Sequence, residues 1–426
     1  MKRKLIFILL FFLVLGFLMA EGGKEQAAES PEGDGVTTVT MATWYSVMEV
    51  TKGAMDEFMR IFEAENPGIK IEPIGIPFEQ IQQQMMVAVS GGNAPDIIHA
   101  VPMTYNAFAN MGALENLGNY FTNGELAELP ESILSSCRHG DNLFAVPFHN
   151  GSIVVLGSKK LLAEAGLPEE IPETWEDFQY AVSKITELGD DIYGFGARTA
   201  KHVNSAYWFF PVMWGFGGEF EDSNGNIVYN NPGTVAALNW FKELGAKKGT
   251  PTGMGIPETR TLFAQNKVGF IFDGPWMKGV MRNASGLGED ADDDYIVGLF
   301  PKAKDGKRYG IANHHLLSVS KQSKVKEEAA KFVKFLVFDE RAAAAHYDAL
   351  GAVPVAASVL NNPKYQDDFT KVFVETAEFA NALPSKNSNF TPALEFVANS
   401  LQAALLGNDV KKAAEEADQA IKVLYK

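Results

Sequence analysis

Two aromatic side chains, Trp44 and Tyr45, directly follow the first predicted β-strand. In open α/β sheets, ligands bind beyond the carboxyl ends of the strands. A flat aromatic ring can stack on the apolar C–H face of a sugar, while neighbouring polar groups bond the sugar hydroxyls. We therefore predict that both residues contact a ligand. The alternative is that both belong to the core beneath the following helix.

A third tryptophan, Trp276, ends an Asp-Gly-Pro-Trp segment that follows a predicted buried strand at residues 268–272. Because Gly-Pro ends a strand and turns the chain, we expect this indole to face a cleft and to bind the ligand. A further aromatic cluster occupies residues 207–216. Helical spacing would bury at least half of it in a core, so we select only three members as ligand-binding residues. These are Tyr207, Trp208 and Trp214.

The composition is that of a globular protein large enough for two domains. The chain has 426 residues, of which 46% are hydrophobic and 21% are charged, so disorder is not expected. Its formal net charge of −16 repels the phosphates of nucleic acids and anionic lipids. We therefore expect neither a nucleic acid nor a membrane surface as a partner. The single cysteine, Cys137, excludes an intramolecular disulfide.

The N-terminus has the pattern of an export signal. Basic residues at positions 2–4 precede an apolar run over residues 5–18, which is short for a membrane span of about 20 residues. We predict a signal peptide over residues 1–20 that is cleaved after Ala20. The alternative is an uncleaved N-terminal anchor.

The segment that follows, residues 21–36, is acidic and rich in glycine, and we predict a flexible linker there. No cysteine lies near residue 20 to accept a lipid. An exported chain without a lipid anchor would be lost from a cell that has no outer membrane. We therefore predict that the protein resides in the periplasm.

From residue 36 onward, predicted strands and helices alternate with short connections. Strands are predicted at residues 36–43, 69–76, 96–100, 152–156 and 268–272. Helices are predicted from the apolar spacing of residues 55–62, 78–89, 325–336 and 394–405, from a Thr174–Asp177 capping box, and over residues 411–426. This alternation predicts an α/β fold: a parallel sheet with helices on both faces, followed by a second α/β region that starts near Gly151.

Six segments, taken in order, resemble a known family. They are residues 62–71 (FEAENPGIKI), 91–98 (GGNAPDII), 158–162 (SKKLL), 174–178 (TWEDF), 269–276 (GFIFDGPW) and 329–336 (AAKFVKFL). Together they resemble the extracellular solute-binding protein family 1, the maltose-binding-protein-like substrate-binding subunits of ABC sugar transporters. Each segment alone is not specific, but all six occur in the family's order, and the resemblance covers about residues 37–426.

The resemblance implies a bilobal periplasmic-binding-protein fold, in which two α/β lobes joined by a hinge close on a ligand in the cleft between them. The implied lobes are residues 37–147 with 312–355, and residues 148–311 with 356–426. The implied function is capture of a mono- or oligosaccharide and its delivery to an ABC transporter permease. No cofactor is implied, and we expect a monomer. The family also uses the position of Trp276 to stack on the ligand.

The same resemblance places chain crossings between the lobes near residues 147–151 and 310–313. Four polar residues there are expected to face the cleft and to bond sugar hydroxyls. They are His149, Asn150, Asn313 and His314. Hinge packing is the alternative for the first two. Adjacent residues of a strand point to opposite sides, so His314 and its neighbour His315 do not predict a metal site.

Other functions compete with carbohydrate binding. The chain contains no Gly-x-Ser-x-Gly, phosphate-binding loop or His-Glu-x-x-His motif, but a glycoside hydrolase needs only two carboxylates. A binder of a polyamine, a glycerol phosphate ester or a metal is a further alternative. The lack of an Arg/Lys cluster near the selected aromatic residues argues against phosphate. Departures from the family pattern at residues 101–104 and 311–315 argue against maltose itself.

Overall fold

Strands and helices alternate through residues 35–426, the part of the chain that the computed structural model describes. The predicted signal peptide, and the predicted linker up to residue 34, lie outside the described residues. Residues 37–426 form one compact unit. Its strands are β1 (Thr37–Thr43), β2 (Ile69–Gly75), β3 (Ile97–Ala100), β4 (Arg138–His139), β5 (Asn142–Leu143), β6 (Val146–His149), β7 (Val154–Ser158), β8 (Tyr193–Phe195), β9 (Val268–Asp273), β10 (Tyr295–Gly298), β11 (Gly310–Ile311), β12 (His315–Val319) and β13 (Ala380–Asn381).

Helices fill most of the chain between the strands. Between residues 35 and 426 the α-helices are α1 (Glu49–Glu65), α2 (Phe78–Ser90), α3 (Pro102–Asn110), α4 (Asn123–Ala127), α5 (Glu131–Leu134), α6 (Lys159–Glu164), α7 (Trp175–Thr186), α8 (Val203–Gly215), α9 (Pro232–Ala246), α10 (Ile256–Ala264), α11 (Met277–Ser285), α12 (Lys326–Phe338), α13 (Glu340–Leu350), α14 (Ala357–Leu360), α15 (Asp368–Phe379), α16 (Phe390–Leu405) and α17 (Val410–Leu424). Short 3₁₀ helices occur at Leu117–Asn119, Ser135–Cys137, Gly288–Asp293 and Pro363–Tyr365. None of these described helices combines the length and the apolar character needed to cross a bilayer.

The strands form two main sheets, and the order of the strands shows how the chain moves between them. The first sheet has the order β2-β1-β3-β12-β6, and the second has the order β10-β7-β9-β8. The chain therefore first forms β1, β2, β3 and β6 of the first sheet and then the four strands of the second sheet. It then returns to the first sheet, where β12 lies between β3 and β6. This return means that each sheet depends on residues distant in sequence.

The expected parallel pairing is only partly correct. β1 pairs in parallel with β2 and β3, as predicted, but β12 is antiparallel to both of its neighbours. In the second sheet β8 is parallel to β9, whereas β7 is antiparallel to β9 and to β10. The prediction failed because parallel pairing requires a crossover helix between paired strands. A strand that enters from the other sheet is free to run in the opposite direction.

The predicted helices have the expected boundaries and buried faces. In α1 the residues Met55, Phe58 and Phe62 are buried, and α1 packs against α13. On the second sheet's side, α16 packs against α8 and α9, and α17 packs against α9. The hydroxyl of Thr174 caps α7 by accepting the backbone N–H of Asp177, but the Asp177 carboxylate accepts from that hydroxyl instead of from the Thr174 backbone. The cap prediction is confirmed, and the reciprocal half of the box is wrong.

The two segments that join the sheets lie against each other at Gly151. One leaves β6 at His149 and enters β7, and the other precedes β12. The backbone N–H of Gly151 donates to Nδ1 of His314 at 3.3 Å. A Cβ atom at Gly151 would lie 2.2 Å from the carbonyl oxygen of Asn313, so only glycine permits this approach.

We predict that Gly151→Ala destabilises the protein by about 1–3 kcal/mol, because the methyl group must push two backbone segments apart. Urea unfolding followed by circular dichroism measures this change. Gly53→Ala is the matched control, since the same added methyl group meets open space in the middle of α1. We expect the control to be as stable as the natural protein or slightly more stable. Equal stability of both variants would show that the Gly151 contact is not a structural constraint.

Candidate functional site

A cavity of about 360 Å³ lies where the strand ends of the two sheets meet. Trp44 follows the carboxyl end of β1, and Trp276 follows the carboxyl end of β9. Six of the ten predicted ligand-binding residues line this cavity: Trp44, Tyr45, Tyr207, Trp208, Trp276 and Asn313. The structure thus brings together side chains that are more than 250 residues apart in sequence.

Trp276 is held in place by the strand end that precedes it. Its indole N–H donates to Oδ1 of Asp273, which is fully buried. A Cβ atom at Gly274 would lie 2.4 Å from the indole ring, so the glycine leaves room for the ring to fold back over the strand end. The Asp-Gly-Pro-Trp segment thereby fixes the orientation of the indole at the cavity wall.

Two arginines converge on the same carboxylate. Nη2 of Arg198 donates to Oδ2 of Asp273 at 2.6 Å, and Arg260 donates through Nε and Nη2 to both carboxylate oxygens at 2.8 Å. Burial raises the pKa of Asp273, but Arg260 and Arg198 outweigh that effect and lower the pKa to about 2. Burial lowers the pKa of Arg198 to about 10, against the opposing effect of Asp273. Asp273 and Arg198 are therefore both charged at neutral pH.

The opposite wall is formed by Trp44 and the side chains around it. The ring of Trp44 stacks on His99 with centroids 3.7 Å apart, and its edge meets Phe78. His315 lies between the walls, 5.1 Å from Trp44 and 5.2 Å from Trp276 between ring centroids. Aromatic groups thus form a continuous lining from the first sheet to the second.

The start of α8 closes a third side of the cavity. The hydroxyl of Tyr207 donates to Oδ1 of Asn313 at 2.9 Å, which ties α8 to the crossing segment before β12. The guanidinium of Arg198 lies over the ring of Trp208 at 4.2 Å, a distance at which the cation is attracted by the aromatic face. Both aromatic residues are therefore preorganised, Tyr207 by another residue of the cavity lining and Trp208 by an arginine behind the lining.

Behind Tyr45 lies a buried group of four residues that we call the histidine cluster: His99, His149, His315 and His346. The Tyr45 hydroxyl is 2.7 Å from Nε2 of His346 and 3.2 Å from Nε2 of His149. Since a phenol has one proton, it donates to one imidazole and accepts from the other. Nε2 of His99 is 3.1 Å from Nδ1 of His315, and the rings of His149 and His315 are 4.1 Å apart.

Burial keeps the histidine cluster neutral. It lowers the pKa of His149 to about 4 and holds the pKa values of His99, His315 and His346 well below their usual range. A neutral imidazole is both donor and acceptor, which allows the cluster to satisfy its own hydrogen bonds without water. Within residues 35–426, no group of three His, Cys, Asp or Glu side chains is arranged to hold a metal ion.

The sequence predicted that His314, and not its neighbour His315, faces the ligand. The structure places His315 at the cavity instead. His315 lines the cavity, whereas His314 is buried outside it and accepts the Gly151 backbone N–H. This happens because β12 begins at His315, so that the two side chains point to opposite sides.

Two further predicted residues support the cavity instead of lining it. His149 is buried and bonds the hydroxyl of Tyr45. Asn150 uses its side chain to donate to the carbonyl of Phe373 and to accept the N–H of Ser152. Its amide is fully engaged with the backbone, which favours the hinge-packing alternative for this residue.

Trp214 lies at a different place, at the far end of α8. It lines a second cavity of about 630 Å³ together with the loop over residues 215–221, the turn over residues 303–305 and Tyr309. This second cavity is larger, but much of its lining is glycine backbone and exposed acidic side chains. Seven residues separate Tyr207 from Trp214, so the helix carries them about 10 Å apart.

Sequence reasoning missed several side chains that line the first cavity. Arg260 and Asn204 come from helices whose sequences carry no recognisable motif, and Met103 lies in the stretch that departs from the family pattern. Phe78 was identified only as part of an apolar helix face. One feature of the sequence could have pointed to Arg260. Asp273 is a carboxylate at the end of a fully buried strand, and a buried carboxylate requires a cation or hydrogen-bond donors as partners.

The model of the family described as bacterial extracellular solute-binding protein matches residues 39–343. A maltooligosaccharide ABC transporter solute-binding lipoprotein of Streptococcus pneumoniae is 26% identical, over 96% of this chain and 94% of its own length. A diacetylchitobiose-binding protein of Streptomyces coelicolor is 25% identical, over 80% of this chain and 79% of its own length.

Among solved structures, a maltose-bound protein of T. maritima superposes with a TM-score of 0.80 at 22% identity. The match covers 91% of this chain and 100% of that one. At this level of identity the likeness establishes the fold.

We predict that the stability of the protein falls as the pH drops from about 6.5 toward 5. The cluster histidines have lower pKa values in the folded state than the value of about 6.5 in an unfolded chain, so only the unfolded state takes up protons in this range. Each histidine then costs up to about 1.4 kcal/mol per pH unit. The window lies above the usual pKa values of carboxylates, and melting temperatures measured across it test the prediction.

The matched variants for this test are His346→Gln and His202→Gln. Removing the buried His346 is expected to reduce the pH slope, whereas removing His202, which is exposed, is expected to leave it unchanged. A melting temperature that is constant between pH 6.5 and 5 would contradict the assignment of a neutral buried cluster.

Proposed function

Because this chain belongs to the family of bacterial extracellular solute-binding proteins, we propose that it captures a carbohydrate in the aromatic cavity and delivers it to an ABC transporter permease. The family consists of binding proteins and not of enzymes. The observation that carries the proposal is the cavity itself, which is lined by Trp44, Trp208 and Trp276 together with a few fixed polar groups.

The cavity has the two kinds of surface that a sugar requires. The indoles of Trp44 and Trp276 provide flat apolar faces for the C–H groups of a pyranose ring. Asn313, Asn204 and Tyr207 provide donors and acceptors for its hydroxyls. Since Tyr207 and Asn313 already bond each other, a sugar hydroxyl would join an existing hydrogen bond and extend it.

The bilobal fold explains how such a ligand is buried and released. Each main sheet with its helices forms a lobe, and the cavity lies between them. The lobe boundaries that we propose are residues 37–147 with 312–355, and residues 148–311 with 356–426. They are supported by the passage of the chain between sheets at residues 150–153 and 312–314. Hinge bending at these passages would open and close the cavity.

Export to the periplasm follows from the proposed function, because a transporter's binding protein must meet its solute outside the cytoplasm. The supporting evidence is the N-terminal pattern of basic and apolar residues and the extracellular family. A monomer is proposed as the unit that meets the permease, since one chain contains both walls of the cavity.

We expect the protein, expressed in a diderm host with its own N-terminus, to be recovered from the periplasmic fraction with Glu21 as its first residue. N-terminal sequencing and cell fractionation measure this. Recovery of the uncleaved chain in the membrane fraction would favour the N-terminal anchor instead.

We predict that a panel of mono- and disaccharides contains a ligand that raises the melting temperature of residues 21–426. At about 100 times its dissociation constant a ligand adds about 2.7 kcal/mol to the stability. With that ligand, Trp276→Ala should weaken binding at least tenfold in calorimetric titration, because the indole provides a wall of the cavity. Recovery of the intact sugar afterwards would distinguish binding from hydrolysis.

Trp214→Ala is the matched control, since it removes the same side chain from the second cavity. It should leave the affinity within about twofold. The reverse result, a loss with Trp214→Ala and none with Trp276→Ala, would move the ligand site to the second cavity.

A further inference from the structure

The cavity wall beneath Trp276 and Trp208 carries more positive than negative charge. Two guanidinium groups, those of Arg198 and Arg260, share the single carboxylate of Asp273. Arg198 is buried, and the side chain of Arg260 is 16% exposed and lines the cavity. The three groups sum to one positive charge at a site that is largely shielded from water.

Asp273 has no capacity left to bind further donors. Its Oδ1 accepts from Nη2 of Arg260, the backbone N–H of Gly274 and the indole of Trp276. Its Oδ2 accepts from Nη2 of Arg198 and Nε of Arg260. Five donors therefore meet about four lone-pair positions, and the carboxylate is saturated.

The two arginines, in contrast, have N–H groups that make no hydrogen bond among the described residues. A guanidinium has five N–H groups in a planar arrangement. Arg260 uses two of them on Asp273, and its Nη1 makes no hydrogen bond among the described residues. Arg198 gives one donor to the carbonyl of Phe272 and one to Asp273, and its buried Nε has no partner among the described residues.

Within residues 35–426, no other group around the cavity neutralises this charge. Among the described residues that line it, Glu79 is the one carboxylate, and it is exposed to water, where its charge is screened. The neighbouring His315 is neutral because its burial favours the uncharged ring. The nearby Lys278 is not part of the lining and is paired with Asp367 and Asp292. The surplus charge thus faces the space that the ligand occupies.

We propose that the ligand is a carbohydrate that carries one carboxylate, such as a uronic acid, and that Arg260 binds this carboxylate. The proposal rests on the carbohydrate function proposed above and specifies its substrate class. A carboxylate has one negative charge and accepts two parallel N–H groups from a guanidinium. A phosphate monoester carries about −1.5 to −2 at neutral pH and would leave the site with excess negative charge.

The structure corrects the premise of one expectation drawn from the sequence. In the sequence, the absence of an Arg/Lys cluster near the aromatic residues argued against phosphate. The structure brings Arg198 from the loop after β8 and Arg260 from α10 to the end of β9. The two arginines are therefore close together in the fold although they are 62 residues apart in sequence. At that separation the sequence does not indicate that they are neighbours.

The test compares matched pairs of probes by calorimetric titration of residues 21–426. The pairs are D-galacturonate with D-galactose, D-glucuronate with D-glucose, and the corresponding disaccharides, and glucose 6-phosphate represents the phosphate esters. We expect at least one carboxylate probe to bind at least tenfold more tightly than its neutral counterpart, because a charge-assisted bidentate contact is worth that much. Its affinity should also fall as salt is added.

Variants at Arg260 identify the residue responsible. Arg260→Gln is expected to reduce the preference for the carboxylate probe to about one, and Arg260→Lys to retain part of it. Asp273 keeps Arg198, Gly274 and Trp276 as partners in both variants, and melting temperatures confirm folding. Arg282→Gln is the control: it removes an arginine that pairs with Asp292 outside the cavity and should leave the preference unchanged.

The outcomes separate this inference from the proposed function. Tighter binding of the neutral sugar overturns the carboxylate proposal and leaves carbohydrate capture standing, and so does binding of the phosphate ester alone. A carboxylate preference that survives Arg260→Gln overturns the assignment of Arg260. Binding of no sugar, neutral or acidic, overturns the proposed function and this inference together.

Discussion

The buried carboxylate of Asp273 is the interaction on which the candidate site depends. It fixes the indole of Trp276, holds Arg198 beneath Trp208 and holds Arg260 at the cavity wall. A single buried charge would be costly, and replacing a buried ion pair with apolar groups is often neutral or stabilising. Its presence at the end of β9 is therefore better explained by the geometry that it imposes on the cavity than by stability.

The histidine cluster solves a related problem in a different way. The ends of β1, β3, β6 and β12 come together behind Tyr45, where water has no access and where polar side chains must satisfy each other. Neutral imidazoles can do this in either tautomer. The first wall of the cavity thus rests on uncharged polar groups, while the second wall rests on ions. The two walls differ in their sensitivity to pH and to salt.

Local patterns in the sequence predicted the elements well. The apolar spacing of α1, the buried strand β9 and the Gly-Pro turn before Trp276 depend on neighbouring residues, so the sequence determines them directly. What it did not contain was the pairing of β12 with β3 and β6, since that strand arrives from another sheet. Arg260 and His315 were missed as cavity residues for the same reason. Their roles arise from contacts with distant strands, and the residues next to them in sequence do not indicate those contacts.

The close approach of Gly151 to Asn313 constrains the hinge motion that we propose for the lobes. Two backbone segments in contact at one point allow rotation about that point but resist sliding past each other. Atoms near the axis of such a rotation stay almost still, and those farther away sweep through larger arcs. Asn313 is itself a cavity residue, so in the proposed hinge motion one polar group of the proposed ligand site lies at the pivot. Under the proposed function, a solute would therefore meet this amide in the same position whether the lobes are open or closed, and the tryptophans would close around a ligand that is already oriented.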